Sequence, residues 1–268
     1  IPQSRQRFYI VGKLKKLNGF EWPKKEKKLK NFQDFIIKKP TKPRNLTSQR
    51  IEILKIWNKI IKSFPKKYKI FNPMWTTEFG ASYPVKKNLV KMSSHELAKY
   101  KGKFGESLKN KTKKDQLDLL PSYAKRDDGF PEWKRKVILN NRNFYKKNKK
   151  WCNSIIKKIR KLHYEAYFKL EWNCMGEKLK LDDKLISFRP SGIRVKRGFY
   201  SPTLVSSVLV QLPIIYKHMR YLSFEECLFL QGFPKKFHMP QSFERFYWSI
   251  GNAVNVKVVK EIAKKLLN

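Results

Sequence analysis

The chain has 268 residues, with 62 Lys plus Arg against 21 Asp plus Glu, for a formal charge of +41. Hydrophobic residues at 41% and aromatics at 14% exclude a disordered basic tail, where aromatics are scarce. Apolar runs such as Ile10-Val11 and Val208-Leu209-Val210 fall far short of the roughly 20 residues a membrane span requires. A balance this basic, with aromatics interleaved, points to a polyanionic partner, nucleic acid before a membrane surface. Lys strongly outnumbers Arg, as in the product of an AT-rich genome, so codon composition accounts for part of the size of the charge but not its sign.

In chain order, Phe8-Tyr9-Ile10-Val11-Gly12 reads as a short buried strand ended by Gly. A core strand so near the first residue predicts the C-terminal portion of a longer polypeptide. Residues 13–43 are Lys-dense and punctuated by Pro. Ile51, Leu54, Trp57, Ile60, Ile61 and Phe64 repeat at helical spacing up to Pro65 and predict a helix packed on a core. Residues 71–84 (FNPMWTTEFGASYP) predict a shaped loop, and residues 86–120 a polar stretch without a predicted element. Trp133, Val137, Ile138, Phe144 and Tyr145 lie along a predicted helix, and a second helix is predicted over 154–170.

From about residue 181 the pattern is more regular. Strands are predicted near 185–188 and 203–210. Ser223 and Glu226 form a capping-box start for a helix that Gly232 and Pro234 stop. A final amphipathic helix carries Val258, Val259, Ile262, Ala263 and Leu266. The three cysteines, Cys152, Cys174 and Cys227, lie far apart, and an odd number argues against a disulfide framework. With no CxxC and four scattered histidines (His95, His163, His218, His238), no metal site is expected. The cysteine usage fits a reducing compartment, hence a cytoplasmic, nucleoid-associated location with no membrane partner.

Four stretches belong together: QSRQR at 3–7, RPSGIRVKR at 189–197 followed by SPTLV at 201–205, YLSFEECLFLQGFP at 221–234, and IGNAVNV at 250–256. In this order and spacing the chain resembles the last third of DNA (cytosine-5)-methyltransferases, the blocks called motifs VIII, IX and X. MWTTEFGASYP at 74–84, LPSY at 120–123 and LEWNCMGE at 170–177 resemble one branch of that family. The resemblance implies an α/β fold: the C-terminal part of a Rossmann-like, S-adenosylmethionine-dependent methyltransferase domain with an inserted mixed α/β target-recognition domain. It implies residues 1–19 as the end of the catalytic domain, 20–185 as the target-recognition region, 186–220 as a hinge region around motif IX, and 221–268 as the return to the catalytic domain.

The chemistry of that family needs a thiolate to add to C6 of a flipped cytosine, an acid at N3 and a methyl sulfonium at C5. The family draws the thiolate from a Pro-Cys motif and the acid from a Glu-Asn-Val motif. Here Cys152 follows Trp151, Cys174 follows Asn173 and Cys227 follows Glu226, so all three are assigned structural roles. The chain alone is therefore expected to be inactive and to need an N-terminal half, as part of one polypeptide or as a separate subunit. By the resemblance, Arg7 reaches the O2 side of the flipped cytosine, where a guanidinium stabilises developing charge. Arg5 and Gln3 hold that arm and the nearby DNA backbone.

Gly251, Asn252 and Ala253 would sit at the start of the last helix and hold the carboxylate of S-adenosylmethionine, with an ordinary N-cap the plainer role for Asn252. Arg189, Arg194, Lys196 and Arg197 are candidates for DNA contact, for the last three as readily structural support. The partner so implied is double-stranded DNA. A non-enzymatic basic nucleic-acid-binding module fits the composition equally well, but gives RPSGIRVKR and GNAVNV no reason to be there.

Overall fold

In the computed structural model all residues are described except 1–2, 15–16, 18, 25–30, 127–129, 207–210, 235–236, 239–241 and 268. β1 (Gln3–Ser4) opens the described chain. Residues 8–12 do not form the expected buried strand: Phe8 and Ile10 are fully open to solvent, as is Leu14. A run of apolar residues makes a strand only where a neighbouring strand takes up the backbone groups, and residues 8–12 pair with none among the described residues.

α1 (Ser48–Lys62) fulfils the helical spacing, burying Ile53, Leu54, Trp57, Ile60 and Ile61. β2 (Met74–Trp75) follows, then a single 3-10 turn whose Thr76, Thr77 and Glu78 are all buried. The polar stretch holds two short helices, α2 (Ser94–Leu97) and α3 (Lys113–Asp118). Their signals were caps rather than periodicity: Ser93 and Glu96 form a capping box, and the Thr112 hydroxyl accepts from the Asp115 N–H. α4 (Glu132–Lys147) matches its prediction. The second predicted helix is shifted: α5 (Lys149–Ile159) starts earlier, and by 169 the chain is extended in β3 (Lys169–Asn173).

β4 (Lys184–Arg189) and β5 (Gly192–Arg197) carry the predicted strand and the RPSGIRVKR block. Of the strand predicted over 203–210, only β6 (Ser201–Pro202) forms, earlier than expected, and residues 207–210 lie outside the described residues. β7 (Ile214–Ile215) and β8 (Arg220–Tyr221) precede α6 (Phe224–Gln231), whose capping box is present and which Gly232 ends in the left-handed region at φ 74°. α7 (Phe243–Asn252) and α8 (Val256–Leu267) complete the chain.

The chain divides into two units, one of Ile1–Ile51, Lys180–Phe188 and Val195–Asn268, the other of Glu52–Leu179 and Arg189–Arg194. In the first, β7 pairs antiparallel with β4 (Ile214 opposite Ile186) and with β8 (Ile214 opposite Tyr221), while β1 runs parallel to β6. Glu226 anchors this unit from full burial. Its carboxylate accepts both Arg220 Nη groups at 2.9 and 2.8 Å, the Ser223 N–H at 2.7 Å and the Ile37 N–H at 2.8 Å. A buried carboxylate is tolerable only with such saturation.

In the second unit β2 pairs antiparallel with β3, Met74 opposite Leu170. The shaped loop is built on the fully buried Glu78. This carboxylate accepts from the Tyr83 and Tyr123 hydroxyls and pairs with Arg142 Nε at 2.9 Å. Arg142 also donates to Tyr83 O at 2.7 Å, and the neighbouring Asn141 accepts the Trp75 N–H at 2.8 Å. Thus α4 clamps the 74–84 block, and the LPSY block closes on the same carboxylate. Among the described residues no helix is long and apolar enough to cross a membrane.

Candidate functional site

The N-terminal arm of the first unit, paired through β1 with β6, is also held by the Arg5 guanidinium. Arg5 Nη1 donates to Leu204 O at 2.9 Å, and Nη2 donates to Gly251 O and Ala253 O, each at 3.0 Å. The planar fork of Arg serves three acceptors on two segments, which a point-charge ammonium could not. Partial burial, then the neighbouring Arg7 cation, lower the Arg5 pKa from its ordinary value; it remains a cation at any physiological pH.

Two of the three acceptors lie at the C-terminal end of α7, where orphan carbonyls carry the negative pole of the helix. Gln231, fully buried, serves the same end: its Nε2 donates to Ile250 O at 2.7 Å and to Ala253 O at 3.3 Å. Gly251 permits the close approach. A Cβ there would lie 2.4 Å from Ser206 N and 2.6 Å from the Val205 carbonyl carbon. The three family blocks thus converge within one unit on a glycine and a guanidinium.

The position of Gly251, Asn252 and Ala253 corrects the sequence expectation. They close α7 rather than open the last helix, and the Ala253 N–H donates back to Ser249 O at 3.0 Å. Three residues on, Asn255 does the capping: its Oδ1 accepts the Val258 N–H at 3.3 Å, and its Nδ2 donates to Leu230 O at 3.0 Å. Asn252 is exposed and is not the N-cap. Sequence reasoning missed Gln231 and Asn255. The signal was present as a polar residue beside the Gly232 helix stop and a second Asn in AVNV.

Arg7 stands apart from Arg5. Exposed, it donates to Gln6 O at 2.7 Å and lines a pocket of about 400 Å³ with Gln3, Arg5, Gln6, Tyr9, Asn255 and Val258. The Gln3 Nε2 and Arg5 Nε donors beside it are buried without a partner among the described residues. The pocket therefore presents an exposed guanidinium whose hydrogen bond to Gln6 is local, a group suited to oxygen acceptors.

The remaining candidates fall elsewhere. Arg194 pairs through Nε with Glu171, which also accepts from Ser191 Oγ at 3.1 Å, so Arg194 ties β5 to β3. Arg189 Nε is buried without a partner among the described residues. Lys196 is half-buried and Arg197 exposed. All three cysteines are buried and none is in a disulfide. Burial raises the Cys152 thiol to about 12, and burial followed by the Glu226 charge raises Cys227 well above its ordinary value. Neither is a thiolate at neutral pH.

A family model described as C-5 cytosine-specific DNA methylase matches residues 1–268. The chain is 34% identical over 145 residues to the type II methyltransferase M.AluI of Cellulosimicrobium cellulans, an alignment covering 52% of this chain. It spans only 27% of that relative's length. No solved structure matches the chain.

Proposed function

The chain belongs to the C-5 cytosine-specific DNA methylase family, and we propose that it is the C-terminal part of a DNA (cytosine-5)-methyltransferase of restriction–modification type. Its substrate is a cytosine flipped out of double-stranded DNA, and S-adenosylmethionine supplies the methyl group when bound. The observation that carries this is the Arg5 guanidinium, which joins the QSRQR arm to SPTLV and GNAV. Arg5 is the positioning residue of the site. Arg7, held at the pocket mouth beside it, takes the O2 edge of the cytosine, where its charge stabilises negative charge growing on the ring. A bare nucleic-acid-binding module has no use for this convergence.

The fit of the cofactor divides between backbone and side chain. The 251–253 backbone closes a helix and presents carbonyls, already engaged by Arg5 and Gln231, so it offers a carboxylate no N–H cradle of the kind found at helix starts. The exposed Asn252 amide does suit a carboxylate, and Asn252 is the residue proposed to hold it. The unit of Glu52–Leu179 and Arg189–Arg194 is proposed as the target-recognition part, with Arg189 facing DNA.

The catalytic thiolate comes from an N-terminal half. Support for that partner is the uncovered apolar surface of the first unit: no residue of α8 is buried, and Phe8, Ile10 and Leu14 are fully exposed. The test is to co-express the chain with an N-terminal methyltransferase half carrying Pro-Cys and glycine-rich motifs. Transfer of label from S-adenosylmethionine to DNA is then measured. Activity appearing only with both halves, and lost in Arg7→Ala, supports the proposal. DNA binding by the chain with no methyl transfer under any complementation overturns it.

A further inference from the structure

The exposed side of α4 is chemically unlike its buried side. Lys136, Asn140, Asn143 and Lys147 follow the spacing i, i+4, i+7, i+11, which places them in one narrow stripe. All four are exposed, while Ile138, Asn141, Arg142 and Phe144 on the opposite side are buried. The only acidic residue of the helix is Glu132 in its first turn, paired with Lys136 at 2.8 Å. Beside the stripe lies Leu139, an apolar group 45% exposed.

At its C-terminal end the stripe runs into a hollow of about 540 Å³ at the junction with α5, lined by Lys147, Lys149, Lys150, Trp151 and Ser154. None of these three lysines faces a carboxylate among the described residues.

A rigid helix with Asn side chains between lysines matches the chemistry of duplex DNA better than that of any neutral partner. The major groove admits an α-helix, Asn amides bond bidentate to the N6 and N7 edge of adenine, and apolar groups meet thymine methyls. From Lys136 to Lys147 the stripe rises roughly 16 Å, the span of about five base steps. Rigidity comes from below, where Asn141 and Arg142 are bonded to the Glu78 block.

We propose that α4 is the base-reading helix of this protein. Asn140 and Asn143 lie on base edges in the major groove, and Lys147, Lys149 and Lys150 lie on the adjoining phosphates. The proposal deepens the methyltransferase reading and rests on it.

The test uses the whole 268-residue chain and a pool of random 30-base-pair duplexes, selected by binding and sequenced, with affinity then measured against salt. The double variant N140A/N143A is expected to relax the selected sequence at one or two adjacent positions, with discrimination there falling roughly tenfold or more. K149Q and K150Q are each expected to weaken binding about equally for all sequences and to lower the log–log salt slope by about one. K55Q on the exposed side of α1 serves as control and should change neither. All these positions are exposed, so unchanged circular dichroism and melting are expected. An unaltered selected sequence together with an unaltered slope overturns the α4 assignment while leaving the methyltransferase reading intact. Wild-type chain that selects no sequence from the pool, alone and with the N-terminal half present, overturns both.

Discussion

Arg5 and Arg7 lie two residues apart in one motif, yet their surroundings differ, and the proposed duties are separable. Replacing Arg5 by Ala removes three hydrogen bonds at once. Ala253 O keeps the Gln231 amide at 3.3 Å, whereas Leu204 O and Gly251 O keep no donor among the described residues. A buried acceptor left unsatisfied costs about 1–3 kcal/mol. Arg5 is only half-buried and water can reach part of the gap, so the lower half of that range applies to each carbonyl. Arg5→Ala is therefore expected to cost about 2–4 kcal/mol. Arg5→Lys should recover no more than about half of that, because one ammonium cannot span both segments.

Arg7, exposed with a single local bond, should cost less than about 0.5 kcal/mol when replaced by Ala, yet abolish methyl transfer in the complemented enzyme. The assay is urea denaturation followed by far-UV circular dichroism, set beside kcat/KM with the N-terminal half. If Arg5→Ala costs under about 0.5 kcal/mol, or if Arg7→Ala destabilises as much as Arg5→Ala, the assignment of positioning to one arginine and chemistry to the other is refuted.

Other consequences can be measured on the chain itself. Gly251→Ala drives a Cβ against the backbone at Val205 and Ser206 and should cost about 1–3 kcal/mol of overpacking; an unchanged urea midpoint would remove the close approach from the account. Glu226→Gln strips the charge from a buried pair with Arg220 and should cost about 3–5 kcal/mol, read by thermal denaturation; a loss below about 1 kcal/mol would show the pair to be dispensable.

Burial, and then the Arg220 and Lys217 cations, hold the His218 imidazole below its ordinary value, with Glu226 opposing and Lys38 adding to the effect. The unfolded chain therefore binds a proton that the native state declines. The contribution of His218 to stability is complete above about pH 6.5 and is lost as pH falls toward the native value. His218→Gln should flatten stability against pH in that window, and an unchanged slope would count against it.

What the sequence determined by itself is local or collective. The spacing of α1 and α4, the Ser223–Glu226 capping box and the Gly232 stop are each written within a short stretch of chain, and helices follow from such local patterns. The family, too, was legible, because its blocks recur in order along the whole chain. Phe8-Tyr9-Ile10-Val11 does not form a strand because a short apolar run favours extended backbone but does not supply another strand beside it. The short helices α2 and α3 were hidden because a cap, not an apolar stripe, makes them.

Tertiary structure alone decided how the candidate site is shared out. Arg5 meets Gly251 across 246 positions of sequence, and no local pattern tells a guanidinium bonded across the fold from one left exposed, as Arg7 is. The place of Gly251, Asn252 and Ala253 at a helix end, and the work of Gln231 and Asn255 around them, follow from which backbone groups remain unsatisfied once the helices have packed. That quantity exists only in the folded chain.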